Sequence, residues 1–411
     1  MDNPNKNITG RDFIVFSVLS WFVETGSNSR NISLEIATSG NRVLYVDPPL
    51  DRITAYRQAT DPNVQRKKEV LKGTRPSVRP LIDRKNIWLM DPVLTLESIN
   101  FLPDGWIYEK LNRLNAKRLA ANVQQAADAL GFKNAIVLVD SDALRCCFIK
   151  DYLPCTTYLY YTRDFLQGVP YWQRHGRRLE PVHMAKATAV VANSEYLREW
   201  AAQHTDKAYY IGQGCNTTHF NPDKDWELPF DLPADNRPKI IYTGYLTSIR
   251  LDLDLMIGMA EARPDWDWVM VGPEDDAFAS SKLHQLGNVL MLGKKNINIV
   301  PAYIYHSDVC INPQAHNEIT KGNYPLKIDE YLAMGKPAVA TRTEFMKAFG
   351  DHCLLADGVD EWISVIDHAL QTNTKEQAQH RRTFAMSHSW ENNVKEIYGV
   401  INQVEADGTN Q

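Results

Sequence analysis

Two charged residues in the second half of the chain have the types and spacing of an anion-binding site. Lys327 and Glu330 follow an apolar run, Val309–Asn312, and a polar loop that leads to Pro325. Proline is favoured in the first turn of a helix, whose free amides commonly bind phosphate. Residues three apart share one helix face, so Lys327 would neutralise a diphosphate while Glu330 accepts hydrogen bonds from ribose hydroxyls. The alternative is a solvated Lys–Glu pair that contributes little.

The segment around this pair resembles the donor-site signature of bacterial GT-B glycosyltransferases of group 1, in particular teichuronic-acid and exopolysaccharide enzymes. The resemblance implies that Lys327 contacts the diphosphate and Glu330 the ribose. It also implies that Asn317, Glu318 and Thr320 line the sugar or phosphate. The signature reads Asn-Pro, Asn-Glu-x-Thr, then Pro-x-Lys-x-x-Glu-Tyr-Leu-Ala-x-Gly-Lys-Pro, and the matching residues are Asn312, Pro313, Asn317, Glu318, Thr320, Pro325, Lys327, Glu330, Tyr331, Leu332, Ala333, Gly335, Lys336 and Pro337.

Two glycine turns earlier in the same half also resemble this family. Gly244 follows the strand-like run Lys239–Thr243, and Gly272 follows Asp267–Val271. The resemblance implies that backbone at Gly244 approaches the phosphates and that Gly272 lies beside the base. Arg250, in the same region, would supply a second cation. Each glycine by itself is equally typical of an ordinary turn.

The catalytic carboxylates depart from the family pattern. Many retaining GT-B enzymes carry two glutamates separated by seven residues, the second matching Glu330, but the first position is Gly322 here. Glu318 is the candidate replacement, and the retaining mechanism stays open. An inverting enzyme needs a general base, and Asp164 is predicted to be that base. It follows a strand-like run at 156–161, where α/β sheets bind ligands, although a turn or cap aspartate is the alternative.

The elements that must position these residues follow an α/β pattern. Short apolar runs, rich in Val, Ile and Tyr, alternate with amphipathic stretches, as in parallel sheets buried on both faces. Residues 221–238 hold four prolines and indicate a linker. The prediction is therefore a Rossmann-like acceptor domain over 1–221, a linker over 222–237, a Rossmann-like donor domain over 238–386, and a helix over 387–411 that packs back on the first domain. The resemblance implies the GT-B fold, in which two such domains face each other.

Composition restricts the class of protein. A chain of 411 residues, 44% hydrophobic and 23% charged, is typical of two or three globular domains. The net charge of −5 gives no indication of nucleic-acid binding. The six cysteines lack metal-like spacing, which is typical of reduced cytoplasmic thiols. Since the apolar run after the N-terminus is far shorter than a membrane span and no signal peptide is evident, a cytoplasmic location is predicted.

A basic segment at 64–86 suggests a further partner. Such a charge run could bind anionic headgroups or a lipid-diphosphate acceptor at the inner leaflet of the membrane, or it could be a solvated face. The predicted partners are therefore a nucleotide-sugar donor, a glycan or lipid-linked acceptor and the inner membrane surface, without nucleic acid. The basic residues of the segment are Arg66, Lys67, Lys68, Lys72, Arg75, Arg79, Arg84 and Lys85.

The resemblance implies an enzyme of the hexosyltransferase type. It would move a sugar from a nucleotide-diphosphate sugar, of UDP or GDP type, to a hydroxyl acceptor in cell-surface polysaccharide or glycolipid assembly. Two alternatives stay open: a sugar-nucleotide epimerase of the same fold, and a non-catalytic subunit that binds nucleotide or glycan. No cofactor and no metal are predicted, although three Asp-x-Asp pairs occur, at Asp140/Asp142, Asp252/Asp254 and Asp265/Asp267.

Overall fold

The computed structural model describes residues 7–23, 26–320, 322 and 324–409, and the chain divides into two units. The first unit comprises Met1–Gly212 and Asn393–Gln411, and the second comprises Gln213–Asn392. The division therefore comes at Gly212, and the segment 222–237, predicted as a linker, lies inside the second unit.

The first unit is built on a sheet of eight strands. Their order is β10-β9-β8-β7-β1-β2-β5-β4, and all neighbours are parallel except β4 and β5. The strands of this unit are β1 (Asp12–Ser17), β2 (Arg42–Val46), β3 (Leu50–Asp51), β4 (Val78–Leu81), β5 (Arg84–Met90), β6 (Thr95–Leu96), β7 (Ile136–Asp140), β8 (Thr157–Thr162), β9 (Ala189–Ala192) and β10 (Ala208–Tyr210). The helices are α1 (Asn28–Thr38), α2 (Arg52–Arg57), α3 (Pro62–Leu71), α4 (Trp106–Ala129), α5 (Pro170–Lys186) and α6 (Glu195–Ala202).

The second unit has a parallel sheet of six strands in the order β13-β12-β11-β14-β15-β16. Its strands are β11 (Lys239–Thr243), β12 (Asp267–Val271), β13 (Val289–Gly293), β14 (Val309–Asn312), β15 (Ala338–Thr341) and β16 (Leu354–Ala356). Its helices are α7 (Leu253–Ala262), α8 (Asp276–Ala279), α9 (Val300–Tyr305), α10 (Leu326–Ala333), α11 (Gly358–Thr372) and α12 (Lys375–Ser387).

Each sheet is buried on both faces, which explains the non-alternating apolar strands of the sequence. In the second unit, Ile328 and Leu332 of α10 pack on one face of the sheet. Met256 of α7 and Trp362 of α11 pack on the other. Each sheet has a point from which the chain adds later strands on both sides, between β1 and β7 in the first sheet and between β11 and β14 in the second. Ligands of open α/β sheets bind at such switch points, outside the carboxyl ends of the strands.

The last helix, α13 (Trp390–Thr409), returns to the first unit, as the predicted fold class requires. Asn393 donates hydrogen bonds from its side-chain amide to the carbonyls of Ile211 and Gly212, at 2.8 and 2.9 Å. Farther along α13, Glu405 forms an ion pair with Arg11 at 3.0 Å. None of the helices that the structure describes, α13 included, is long and apolar enough to cross a membrane.

The basic segment 64–86 folds into α3 and the antiparallel pair β4–β5, and part of its charge is neutralised. Arg66 is buried, and its guanidinium lies 2.6 Å from Asp47 and 3.0 Å from Asp91. Arg79 also pairs with Asp91, at 2.9 Å. These two arginines therefore join α3 and β4 to the residues that follow β2 and β5, and their charge is not available for an anionic surface.

Candidate functional site

A cavity of about 300 Å³ lies at the switch point of the second sheet. Tyr242 of β11 and Asn312 at the end of β14 contribute to its wall, and Lys327 enters from the first turn of α10. The other lining residues belong to the loops that follow β11 and β14, and they are Tyr245, Thr247, Arg250, Leu251 and Gln314. We call this space the α10 cavity.

Two cationic side chains, Lys327 and Arg250, line the α10 cavity. The Lys327 Nζ lies 5.1 Å from the centroid of the Tyr242 ring, and Arg250 lines the same space. Burial lowers the pKa of Lys327 to about 8; Glu330 acts against this shift and Arg250 adds to it. Lys327 therefore carries its proton at neutral pH, and a diphosphate would neutralise two neighbouring positive charges here.

Glu330 lies one turn along α10 from Lys327, and both side chains are half-buried. Burial raises the pKa of Glu330 to about 8; Lys327 opposes the rise and the neighbouring Asp329 reinforces it. At neutral pH the side chain therefore holds a proton for most of the time. A protonated carboxyl group both donates and accepts hydrogen bonds, which matches a pair of vicinal hydroxyls.

A hydrogen bond fixes α10 against β11, and a glycine beside it leaves space for Lys327. The Tyr331 hydroxyl accepts a hydrogen bond from the backbone amide of Thr243 at 2.9 Å. Gly244, the next residue, has a φ of 131°, and a Cβ there would lie 3.3 Å from both the Lys327 Cε and the Tyr242 hydroxyl oxygen. A side chain at Gly244 would therefore crowd the lysine, so the glycine leaves room for Lys327 in the cavity.

Gly272 lies against the backbone of Gly244. A Cβ at Gly272 would fall 1.7 Å from the Gly244 carbonyl oxygen, a distance that no structure tolerates. The amide of Gly244 in turn donates to the Val271 carbonyl at 2.9 Å. Gly272 therefore supports the cavity from the neighbouring strand end, through the loop that carries Gly244.

The loop after β14 is held by its own side chains. Asn317 accepts a hydrogen bond from the Thr320 amide at 3.1 Å and donates to the Ile249 carbonyl at 2.8 Å. The Thr320 hydroxyl donates to the Ala315 carbonyl at 2.6 Å. Asn317 and Thr320 thus shape this loop and fasten it beside the loop that follows β11. Glu318, between them, is exposed.

The proposed base Asp164 lies in the first unit, just after the carboxyl end of β8. The Arg163 guanidinium connects it to a second carboxylate: Arg163 lies 3.0 Å from Asp164 and 2.7 Å from Asp140. Asp140 is fully buried at the end of β7, beside the switch point of this sheet. The sequence indicated Asp140 only as one member of a metal-type pair and did not indicate Arg163.

Asn312 is the clearest site residue that sequence reasoning left without a role. Its side chain is 1% exposed, and its Nδ2 has no hydrogen-bond partner among the described residues. Buried amide groups are nearly always hydrogen-bonded, so an unsatisfied donor in a cavity wall indicates a place for a ligand oxygen. The signal in the sequence was the Asn-Pro pair at the end of β14. It located Asn312 at the end of this strand but did not show that the side-chain amide lacks a hydrogen-bond partner.

The Asp-x-Asp pairs have structural partners. Asp252 caps α7, Asp265 pairs with Arg263 at 2.7 Å, and Asp142 pairs with Arg145 at 2.7 Å. In the part of the chain that the structure describes, no group of three His, Cys, Asp or Glu residues could hold a metal ion. A metal-free reaction stays a prediction.

Comparison with known proteins agrees with the predicted resemblance. Residues 237–372, which lie in the second unit, match the family model "Glycosyl transferases group 1". A Bacillus subtilis (strain 168) protein named as a teichuronic acid biosynthesis glycosyltransferase, TuaH, is 25% identical over 218 residues. That match covers 50% of this chain and 54% of the relative, so the chain spans about half the length of this curated protein. The resemblance is confirmed, and the second unit contains a glycosyl transferases group 1 domain.

Solved structures confirm the fold class. The sucrose-phosphate synthase of Thermosynechococcus elongatus superimposes with a TM-score of 0.68 at 16% identity, over 97% of this chain and 100% of that chain. Anabaena Alr3699/HepE in complex with UDP gives a TM-score of 0.60 at 16% identity, over 97% and 99%. The α,α-trehalose 6-phosphate synthase of Burkholderia multivorans gives 0.65 at 9% identity, over 98% and 100%. The chain therefore has the GT-B fold, with parallel sheets in two domains.

Proposed function

We propose that the protein is a glycosyltransferase that moves a sugar from a nucleotide-diphosphate sugar to a hydroxyl acceptor. The observation that carries this proposal is the α10 cavity, where Lys327, Arg250 and the unpartnered amide of Asn312 line one space. Two cations and a free N–H donor suit a diphosphate. They also suit the reaction, because the departing nucleotide gains negative charge when the glycosidic bond breaks.

Each side chain has a separate proposed task. Lys327 and Arg250 hold the diphosphate and stabilise the charge that develops on it. Asn312 donates to a phosphate or sugar oxygen, and Glu330 binds the ribose hydroxyls. Because Lys327 and Glu330 are both half-buried, water competes less with their interactions with the donor, which are stronger than they would be on an open surface.

The acceptor hydroxyl must lose its proton, and two carboxylates are proposed for this chemistry. Asp164 is the proposed base of an inverting reaction, in which it takes the proton directly. Glu318 is the proposed carboxylate near the sugar if the reaction retains the anomeric configuration. The anomeric configuration of the product decides between these mechanisms. The transfer rates of Asp164→Asn and Glu318→Gln then show which carboxylate the reaction requires.

We propose a donor of the UDP or GDP type, with no cofactor. The Anabaena protein of the same fold, solved with UDP, supports the first choice. The similarity to TuaH supports an acceptor that belongs to cell-surface polysaccharide assembly. Such acceptors are glycans or lipid-linked glycans, so we place the protein at the inner surface of the cytoplasmic membrane.

The experiment that tests this function follows the fate of each donor. The purified protein is incubated with UDP- and GDP-sugars, with and without a mixture of glycan and lipid-linked acceptors, and the products are separated by mass and by sugar stereochemistry. Transfer to an acceptor, with slow donor hydrolysis in its absence, supports a glycosyltransferase. Epimerised donor without acceptor would show an epimerase. Donor binding with neither reaction would show a non-catalytic subunit.

A further inference from the structure

A second and larger cavity, of about 640 Å³, lies in the first unit. Val18 directly follows β1, and Leu144 and Arg145 follow β7, so this cavity opens at the switch point of the first sheet. Its inner wall is largely apolar and includes Leu96, Ile99 and Trp172. We call this space the β1–β7 cavity. Its position is the one at which open α/β sheets bind ligands.

The charged side chains in its wall leave an excess of positive charge. The two carboxylates are already satisfied: Asp51 caps α2, and Glu97 pairs with Arg52 at 2.7 Å. Two arginines that line the cavity, Arg57 and Arg174, have no ion pair with any described residue. Guanidinium groups bind phosphate through two parallel hydrogen bonds, so these residues match a phosphate in the cavity.

The cavity has an apolar and aromatic rim that faces water. Ile53, Phe101 and Tyr171 line the cavity and are all exposed, the last two by about 60%. Tyr56, on α2 beside them, is 85% exposed, and Trp106 at the start of α4 is 74% exposed. Exposed apolar groups collected around one site mark an interaction surface. Aromatic side chains mixed with arginine are typical of proteins that lie in the headgroup region of a bilayer.

The rim is held in place by ordered contacts. The Asn100 amide donates to the Tyr171 hydroxyl at 2.6 Å, and the Tyr108 hydroxyl donates to Asn100 at 3.3 Å. The Tyr108 ring stacks on His175, with centroids 3.8 Å apart. Tyr171 is therefore fixed on the wall of the β1–β7 cavity, so the exposed ring is part of a preformed surface.

We propose that the β1–β7 cavity binds the phosphate head of a membrane lipid with a long hydrocarbon chain, and that this lipid carries the acceptor. The inference rests on the proposed function only in assigning the lipid as acceptor. Arg57 and Arg174 bind the phosphate, the apolar wall takes the first part of the chain, and the rim lies in the bilayer surface. A free sugar phosphate would leave the rim in water, which is why the geometry favours a lipid. None of the residues that line this cavity belongs to the predicted basic segment 64–86.

The test measures binding of the full chain to vesicles by flotation. Neutral phosphatidylcholine vesicles with hexadecyl phosphate are compared with vesicles that contain hexadecanol, and with free inorganic phosphate as a competitor. We expect binding only to the hexadecyl phosphate vesicles, weakened about tenfold by Arg57→Gln or Arg174→Gln, since each removes a charge-assisted hydrogen bond. Phe101→Ser and Tyr171→Ser should weaken binding similarly. The matched controls are Arg177→Gln, on the same helix as Arg174, Lys72→Gln in the basic segment, and Phe230→Ser, another exposed aromatic.

Three results would overturn the inference. Equal losses in Arg177→Gln or Lys72→Gln would show general surface charge, and equal binding to hexadecanol vesicles would show that the phosphate is not recognised. No binding to any vesicle, in protein that still binds a nucleoside diphosphate, would also reject the lipid site. Because nucleotide binding is measured on the same preparation, this last outcome leaves the proposed donor site intact and separates the two proposals.

Discussion

At the scale of single residues, burial controls the charge of the proposed donor site. Lys327 and Glu330 lie one turn apart on α10. Burial lowers the pKa of the lysine to about 8 and raises the pKa of the glutamate to about 8. Below that pH the site holds a charged lysine and a neutral carboxyl group, which favours an anion. Above it, the lysine loses charge while the glutamate gains a negative charge, so both changes disfavour a diphosphate.

This predicts the pH dependence of nucleotide binding. The affinity for a nucleoside diphosphate should fall as the pH rises from about 7 to 9, by up to about tenfold for each group that titrates. Lys327→Arg keeps its charge at every pH and should remove part of the dependence; Lys327→Arg with Glu330→Gln should remove nearly all of it. Calorimetric titration across this pH range checks the prediction. An unchanged slope in the double variant would show that other groups are responsible.

Asn312 should have opposite effects on stability and binding. A buried amide donor without a partner costs about 1–3 kcal/mol, so Asn312→Leu, which keeps the branched shape, should leave the melting temperature unchanged or raise it. The same variant should bind a nucleoside diphosphate about tenfold more weakly, because the ligand oxygen loses its donor. Thermal unfolding and calorimetry on the same sample test both effects. A lower melting temperature with normal binding would contradict this role for Asn312.

At the scale of elements, the α10 cavity depends on the close packing of the loops after β11 and β12. Gly272→Ala should lower the free energy of unfolding by about 1–3 kcal/mol, because the new Cβ must displace the Gly244 carbonyl. It should also weaken nucleotide binding, since the displaced loop lies against Lys327. Gly287→Ala is the matched control: a Cβ there meets nothing within 4 Å, so a change within about 0.5 kcal/mol is expected. Denaturant unfolding of both variants measures the difference; similar values would show that the loop contact matters little.

The elements of the second unit could largely be predicted from the sequence, because parallel strands buried on both faces leave long apolar runs. Predicted strands at β11, β12 and β14 agree with those of the structure, and the helix expected from Pro325 begins at Leu326.

The structure of the basic segment 64–86 in the first unit was harder to predict from the sequence. It folds into α3, β4 and β5 around Arg66, whose buried charge is neutralised by Asp47 and Asp91 from other parts of the chain. A local pattern of charge contains no information on such distant partners.

At the scale of the whole molecule, the fold class followed from element order and from one motif, and the comparisons confirm it. The set of residues that line the α10 cavity together could not be predicted from the sequence in the same way. Lys327 and Arg250 were both predicted, but their common space depends on the pairing of β11 with β14, which the sequence does not state. The β1–β7 cavity was not predicted, since its walls come from α2, α4, α5 and the ends of two strands.

The most direct test of the central claim is calorimetric titration of the whole protein with UDP, GDP, ADP, dTDP and CMP. Wild type is compared with Lys327→Ala and Arg250→Ala, and with Lys336→Ala as a control lysine outside the α10 cavity. The account predicts selective micromolar binding of one diphosphate, lost in the first two variants and kept in the control. Binding of no nucleotide by folded wild type, or equal binding by all four proteins, would contradict the assignment of the α10 cavity as the donor site.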